Sequence, residues 1–208
     1  MEEIFKRLAD FCNCEVDDLE FAIIFGSRAL GCDQSDIDFK IFSKSTASIS
    51  LRNKVANFAA SLNSSFFQDA KIGETDVPYA IKTIIDKQTL EDAINLKAFL
   101  DIDGKISIPR INFNKHFLES RECQMRTILS ALTTPHIFIS GNKDSYQSYV
   151  KKAFDSVKRL ISTAYKISVD DREKMIDLFL YSEIGETYKE YLGYKDSPAI
   201  RKHLLENI

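Results

Sequence analysis

Asp36 and Asp38, two carboxylates separated by one residue, are the side chains of this 208-residue chain with the plainest capacity for chemistry. They stand at the head of the apolar run 39–42. In a strand, alternate side chains share a face, so Asp36 and Asp38 point one way while Ile37 and Phe39 point into a core. Two carboxylates on one face repel each other, and one is driven towards protonation unless a cation sits between them. Hard oxygen ligands on a rigid strand suit Mg²⁺, which takes a few carboxylates together with phosphate oxygens. Upstream, a second apolar run, 21–25, ends in Gly26-Ser27. Gly26 allows close approach of backbone to a ligand, and Ser27 supplies a hydroxyl where a short helix is expected to begin, a place that favours phosphate. One stretch, residues 21–42, thus offers a metal pair and a phosphate cradle.

The elements that must position these groups are two buried strands, because both runs have strand length and strand-forming residues. Gly26-Ser27-Arg28-Ala29 followed by Ser35-Asp36-Ile37-Asp38 resembles the signature of the polymerase-β-like nucleotidyltransferase superfamily, and within it the minimal, antitoxin-like branch. The resemblance implies an α+β fold: a mixed nucleotidyltransferase-type sheet with flanking helices. It implies an NTP donor, ATP in the first instance, and two Mg²⁺ ions held by Asp36, Asp38 and a third carboxylate. Gly26 and Ser27 would hold the triphosphate. Arg28 would touch a phosphate or pair with the carboxylates, an outward helix face being the alternative.

The third carboxylate has two candidates. Asp69 lies in SFFQDAKIG, which reads as a strand, and stands nine residues before Pro78. That offset matches minimal relatives, in which the proline opens a helix; here Pro78 with Ile81 and Ile85 would form it. Asp76, in ETDVPYAI, matches the pattern of larger relatives. Asp69 is the preferred assignment. Family members also reach the β- and γ-phosphates with a Lys from a later helix, and Lys151 and Lys158 are the candidates for that contact, a solvated basic face being the plainer reading of each.

Helical spacing of apolar residues predicts helices over 2–13, 51–62, 90–100, 117–132 and 142–165, then one beginning near Asp170-Asp171 and a last one from Ser197-Pro198. Asp101-Ile102-Asp103-Gly104 reads as a turn. The expected organisation is a nucleotidyltransferase domain, 1–109, followed by an all-helical domain, 110–208. Arg110 and His116 have the loose spacing of a helical ribonuclease motif, which chance explains better.

Composition bounds the partners. The chain is 44% hydrophobic and 28% charged, in the range of ordinary globular proteins. It has no apolar run of membrane-spanning length, an acidic N-terminal segment and four cysteines without metal-ligand spacing, so a cytoplasmic location is expected. Residues 1–110 carry 13 Lys and Arg against 18 Asp and Glu, and the remainder 15 against 13. Neither part has the basic excess needed to grip long nucleic acid. The acceptor classes left are a protein side chain, a short RNA end or an aminoglycoside-type small molecule. A non-catalytic NTP-binding or antitoxin-like subunit is the alternative class.

Overall fold

The first run forms β1 (Leu19–Phe25) and the second β2 (Asp38–Ser43) in a computed structural model that describes residues 2–31, 36–62, 83–108, 115–118, 120–181 and 198–208. Among the described residues, two further strands, β3 (Ile84–Asp86) and β4 (His136–Gly141), complete one mixed sheet of order β3-β2-β1-β4. β1 pairs antiparallel with both β2 and β4, and β2 pairs parallel with β3. The α+β class is therefore as expected. β1 is central, which is why its residues from Phe21 to Phe25 are buried on both faces and read as an unbroken apolar run.

The two faces have different fillings. Ala22, Ile24, Phe39, Ile41 and Ile84 pack on Leu8 and Cys12 of α1 (Glu2–Glu15) and on Val55, Ala59 and Leu62 of α2 (Ile49–Leu62). Phe11 and Phe58, stacked with centroids 4.1 Å apart, join the two helices behind the sheet. Ser48 caps α2, its hydroxyl accepting from the Leu51 amide at 3.1 Å. The opposite face carries Phe21, Ile23 and Phe25 of β1 beside Asp38, Lys40 and Phe42 of β2, since directly paired residues share a face. Phe21 and Phe42 stack there at 4.4 Å.

Two expectations are corrected. The segment 110–208 is not all helical, because His136–Gly141 is a strand of the sheet. Its HIFIS pattern, bounded by Pro135 and Gly141, is a strand signal that the surrounding helical periodicity obscured. Gly141 has φ +100, and a Cβ there would lie 2.5 Å from the Glu20 carbonyl oxygen, so only glycine lets β4 meet β1 at that point. Second, the helix expected from Pro78 to Ile85 does not hold at its end: Ile84–Asp86 is β3, and its two buried isoleucines are better served by a sheet. Residues 63–82, including Pro78, lie outside the described residues.

Smaller differences concern helix ends. The helix expected over 90–100 is α3, Lys87–Ile94; Leu96 then takes φ +60 and a short 3₁₀ turn, Lys97–Phe99, follows. The helix expected over 117–132 is divided into a single turn, α4 (Lys115–Leu118), and α5 (Arg121–Thr133), whose start is capped by Ser120 accepting from the Cys123 amide at 3.1 Å. The Asp101–Gly104 turn forms as expected, with the Asp101 Oδ1 accepting from the amides of Asp103 and Lys105. α6 (Lys143–Tyr165), α7 (Arg172–Tyr181) and α8 (Pro198–Asn207) follow the helical spacing closely.

The chain divides into two compact units: residues 1–90 with 136–147, and residues 91–135 with 148–208. The boundary expected at 109/110 falls outside the described residues. In the second unit α5 is buried on every side from Cys123 to Thr133 despite its polar residues. Thr127 and Thr133 satisfy their hydroxyls on the helix's own carbonyls, and Arg126 donates to the Ala98 carbonyl at 3.0 Å while stacking on Phe99 at 4.2 Å. Buried Asp92 is held by Lys97 at 2.8 Å and Arg121 at 2.6 Å. Among the described residues, no helix is long and apolar enough to cross a membrane.

Candidate functional site

Antiparallel pairing is what joins the two halves of the candidate site. Phe25 is opposite Asp38, so Gly26, the next residue, meets the Asp38 side chain directly. A Cβ at Gly26 would lie 2.9 Å from the Asp38 Oδ2, and the backbone there has φ +76. Glycine thus serves two needs, a left-handed bend and room for a carboxylate. Asp36 precedes β2 and is half-buried; Ile37 and Phe39 are buried in the core behind the sheet, as alternation requires. A Gly26→Ala variant should lose about 1–2 kcal/mol of stability to the φ strain. It should lose roughly a hundredfold in any activity that depends on where Asp38 points. Thermal melts alongside turnover check both; an active variant would show that the close approach is incidental.

The electrostatics are those of two carboxylates held close together. Burial, the neighbouring Asp36 charge and, in the opposite sense, the Lys40 charge act on Asp38; the first two win and its carboxyl is pushed up to about 6 from 3.8. Raised in the fold, this group favours folding below the unfolded value and loses that advantage as pH rises from about 4 to about 6. Ionising it at pH 7 then costs about 3 kcal/mol at most, from roughly two pKa units at 1.36 kcal/mol each. With chelator present, Asp38→Asn should therefore exceed the native protein in stability by about 2–3 kcal/mol at pH 7.5 and match it near pH 4. Urea titrations at the two pH values check this; a gap that does not widen with pH would refute the assigned shift.

The donor set fits a hard divalent cation. Two carboxylates stand near enough for the Asp36 charge to act on Asp38, and Asp38 lies against a backbone that carries no side chain at Gly26. Among the described residues no third His, Cys, Asp or Glu joins them. Asp69 and Asp76, the sequence candidates, lie outside the described residues, as does Arg110. Asp86 is at the far end of the sheet's strands, opposite Ser43, where its carboxylate caps α3 by accepting from the Thr89 amide at 2.8 Å.

Other candidates fall in different places. The helix expected at Gly26-Ser27 is a single 3₁₀ turn, Gly26–Arg28, so the phosphate cradle would have to be built from the bend rather than from a full helix terminus. Ser27 is half-buried. Arg28 is buried, which rules out the outward-face reading. Lys151 and Lys158 belong to the second compact unit. Lys151 is exposed and pairs with Asp155 at 2.8 Å, an i,i+4 pair worth about 0.3–0.5 kcal/mol. Lys158 is half-buried and His116 is exposed.

Two residues on the carboxylate face were not singled out from the sequence. Lys40 is buried, with its Nζ 5.5 Å from the centre of the Phe25 ring. The alternation 36, 38, 40 could have flagged it. His136 is opposite Phe25, which is in turn opposite Asp38, so the three side chains stand in one row on neighbouring strands. Nothing local in the sequence announces that row.

Comparison with known proteins finds no matching family model, no matching curated protein and no matching solved structure. The case for a function rests on the residues and geometry of this chain.

Proposed function

We propose that the chain is a Mg²⁺-dependent nucleotidyltransferase that moves a nucleoside monophosphate from an NTP, with ATP as the first donor to try, onto an acceptor and releases pyrophosphate. What carries the reading is the β1–β2 register: it sets Gly26 against Asp38, with Asp36 beside it, and so brings the Gly-Ser and Asp-x-Asp elements of the resemblance to one spot. Both elements could occur separately by chance; their meeting through strand pairing is a stricter condition.

Bound Mg²⁺ would supply charge neutralisation on the phosphates and a lowered pKa for the acceptor hydroxyl. Asp36 and Asp38 would hold it, with Asp69 the proposed third ligand. Gly26 leaves room for the Asp38 carboxylate against its backbone, so that a phosphate would be held there through the metal, and Ser27 would offer it a hydroxyl donor. The acceptor hydroxyl would give its proton to the third carboxylate, Asp69, and on to solvent, while its oxygen forms the new bond to the α-phosphorus and the bond to the leaving pyrophosphate breaks. Positioning and electrostatics, rather than covalent catalysis, would account for the rate. A protein side chain is the first acceptor to try and a short RNA end the second: a long polynucleotide would need a basic stripe that the sequence lacks, and a polycationic small molecule would need a carboxylate-lined cleft beyond the metal pair.

The test is incubation with each NTP labelled at the α-phosphate, Mg²⁺ and cell extract, followed by locating the label. Transfer to a macromolecule or small molecule with equimolar pyrophosphate supports the reading. Tight NTP binding without transfer to any acceptor would instead support the non-catalytic, antitoxin-like alternative.

A further inference from the structure

The face that carries the carboxylates continues into an aromatic patch. Its first row runs Asp38, Phe25, His136, and its second Lys40, Ile23, Phe138, each along three adjacent strands. Tyr146, in the first turn of α6, packs over the far end of these rows. Its ring centroid is 5.7 Å from that of His136, 5.0 Å from that of Phe138 and 5.7 Å from that of Phe21. Phe21, Ile23 and Phe25 are buried, whereas His136, Phe138 and Tyr146 keep part of their surface accessible. All of these residues belong to the first compact unit.

We propose that His136, Phe138 and Tyr146 form the wall on which the donor's nucleobase stacks while its phosphates lie at Asp36 and Asp38. This rests on the nucleotidyltransferase reading and adds to it the recognition of the donor's base. Three observations converge. The wall is two strand spacings from Asp38, roughly 10 Å, which a nucleotide can bridge with its phosphates at one end and its base at the other. Three π-systems are gathered together, each with part of its surface accessible, and stacking on such surfaces accepts any base. The Tyr146 hydroxyl makes no hydrogen bond among the described residues, and burial of its ring raises the phenol's pKa, so it stays a neutral donor and acceptor for a ligand. A wall of this composition recognises a planar aromatic ring more than its particular edge groups. Discrimination among NTPs should therefore be modest, with the Tyr146 hydroxyl adding only a secondary preference.

Isothermal titration calorimetry with Mg²⁺ and either ATP or inorganic tripolyphosphate tests the wall, because tripolyphosphate carries the charge without the base. Tyr146→Ala and His136→Ala should each raise the Kd for ATP about tenfold or more, and Tyr146→Phe by no more than about twofold. Tripolyphosphate affinity should stay at the native value in all three, which also shows that the carboxylate end of the sheet remains folded. An unchanged ATP Kd in both alanine variants overturns the wall, as does a parallel loss of ATP and tripolyphosphate. Should Tyr146→Ala not fold, His136→Ala decides alone. If the native protein binds neither ATP, nor another NTP, nor tripolyphosphate, the nucleotidyltransferase reading itself falls and takes the wall with it.

Discussion

Asn in place of Asp36 or of Asp38 should reduce Mg²⁺-dependent nucleotidyl transfer by about 10³-fold or more while the fold survives. The magnitude follows from the several kcal/mol that a bound divalent cation contributes to a phosphoryl transition state, at 1.36 kcal/mol per factor of ten. Fold survival follows from the geometry. Asp38 is half-buried beside Asp36 and disfavoured in its charged form, so the neutral isostere relieves repulsion instead of leaving a cavity. The favourable Lys40 charge is already counted in that net disfavour, since it acts against burial and Asp36 in setting the raised value. Initial rates of labelled-NMP transfer, with circular dichroism on the same samples, separate the two effects. Native turnover in both variants would remove the metal-pair mechanism; unfolded variants would assign the carboxylates a structural role.

The second large effect is expected at the third carboxylate. Asp69→Asn should lower turnover by about 10²–10³-fold, the scale on which one preorganised electrostatic contact to a transition state acts. Asp76→Asn should change it by less than about threefold, within the scatter of surface substitutions of about ±0.5 kcal/mol. The contrast depends on Asp69, nine residues before Pro78, being the acid that shares the metal with Asp36 and Asp38. Metal affinity gives an independent readout, since loss of a ligand weakens Mg²⁺ or Mn²⁺ binding whether or not the acceptor is known. A Mn²⁺ titration in which Asp76→Asn weakens binding and Asp69→Asn does not would transfer the role to Asp76.

What the sequence determined by itself was whatever depends on local period and local chemistry. The unbroken apolar run of β1, the alternation that turns Asp36 and Asp38 away from Ile37 and Phe39, and the amphipathic spacing of α1, α2 and α6 are each written within a few turns or strand residues. The carboxylate pair and its face were legible for that reason. Three features were decided only by tertiary structure. β3 took two isoleucines from an expected helix because a parallel place beside β2 buries them fully, which local propensity cannot foresee. β4 left an expected helical region because β1 had an unpaired edge, and satisfying backbone groups there outweighs the helical character of its neighbours in sequence. Most consequential is the alignment of Asp38, Phe25 and His136 in one row and the contact of Gly26 with Asp38. Register arises from pairing between segments far apart in the chain, and a shift of one residue would turn every side chain to the other face. The residues of the candidate site were therefore visible in the sequence, but their meeting was a property of the sheet.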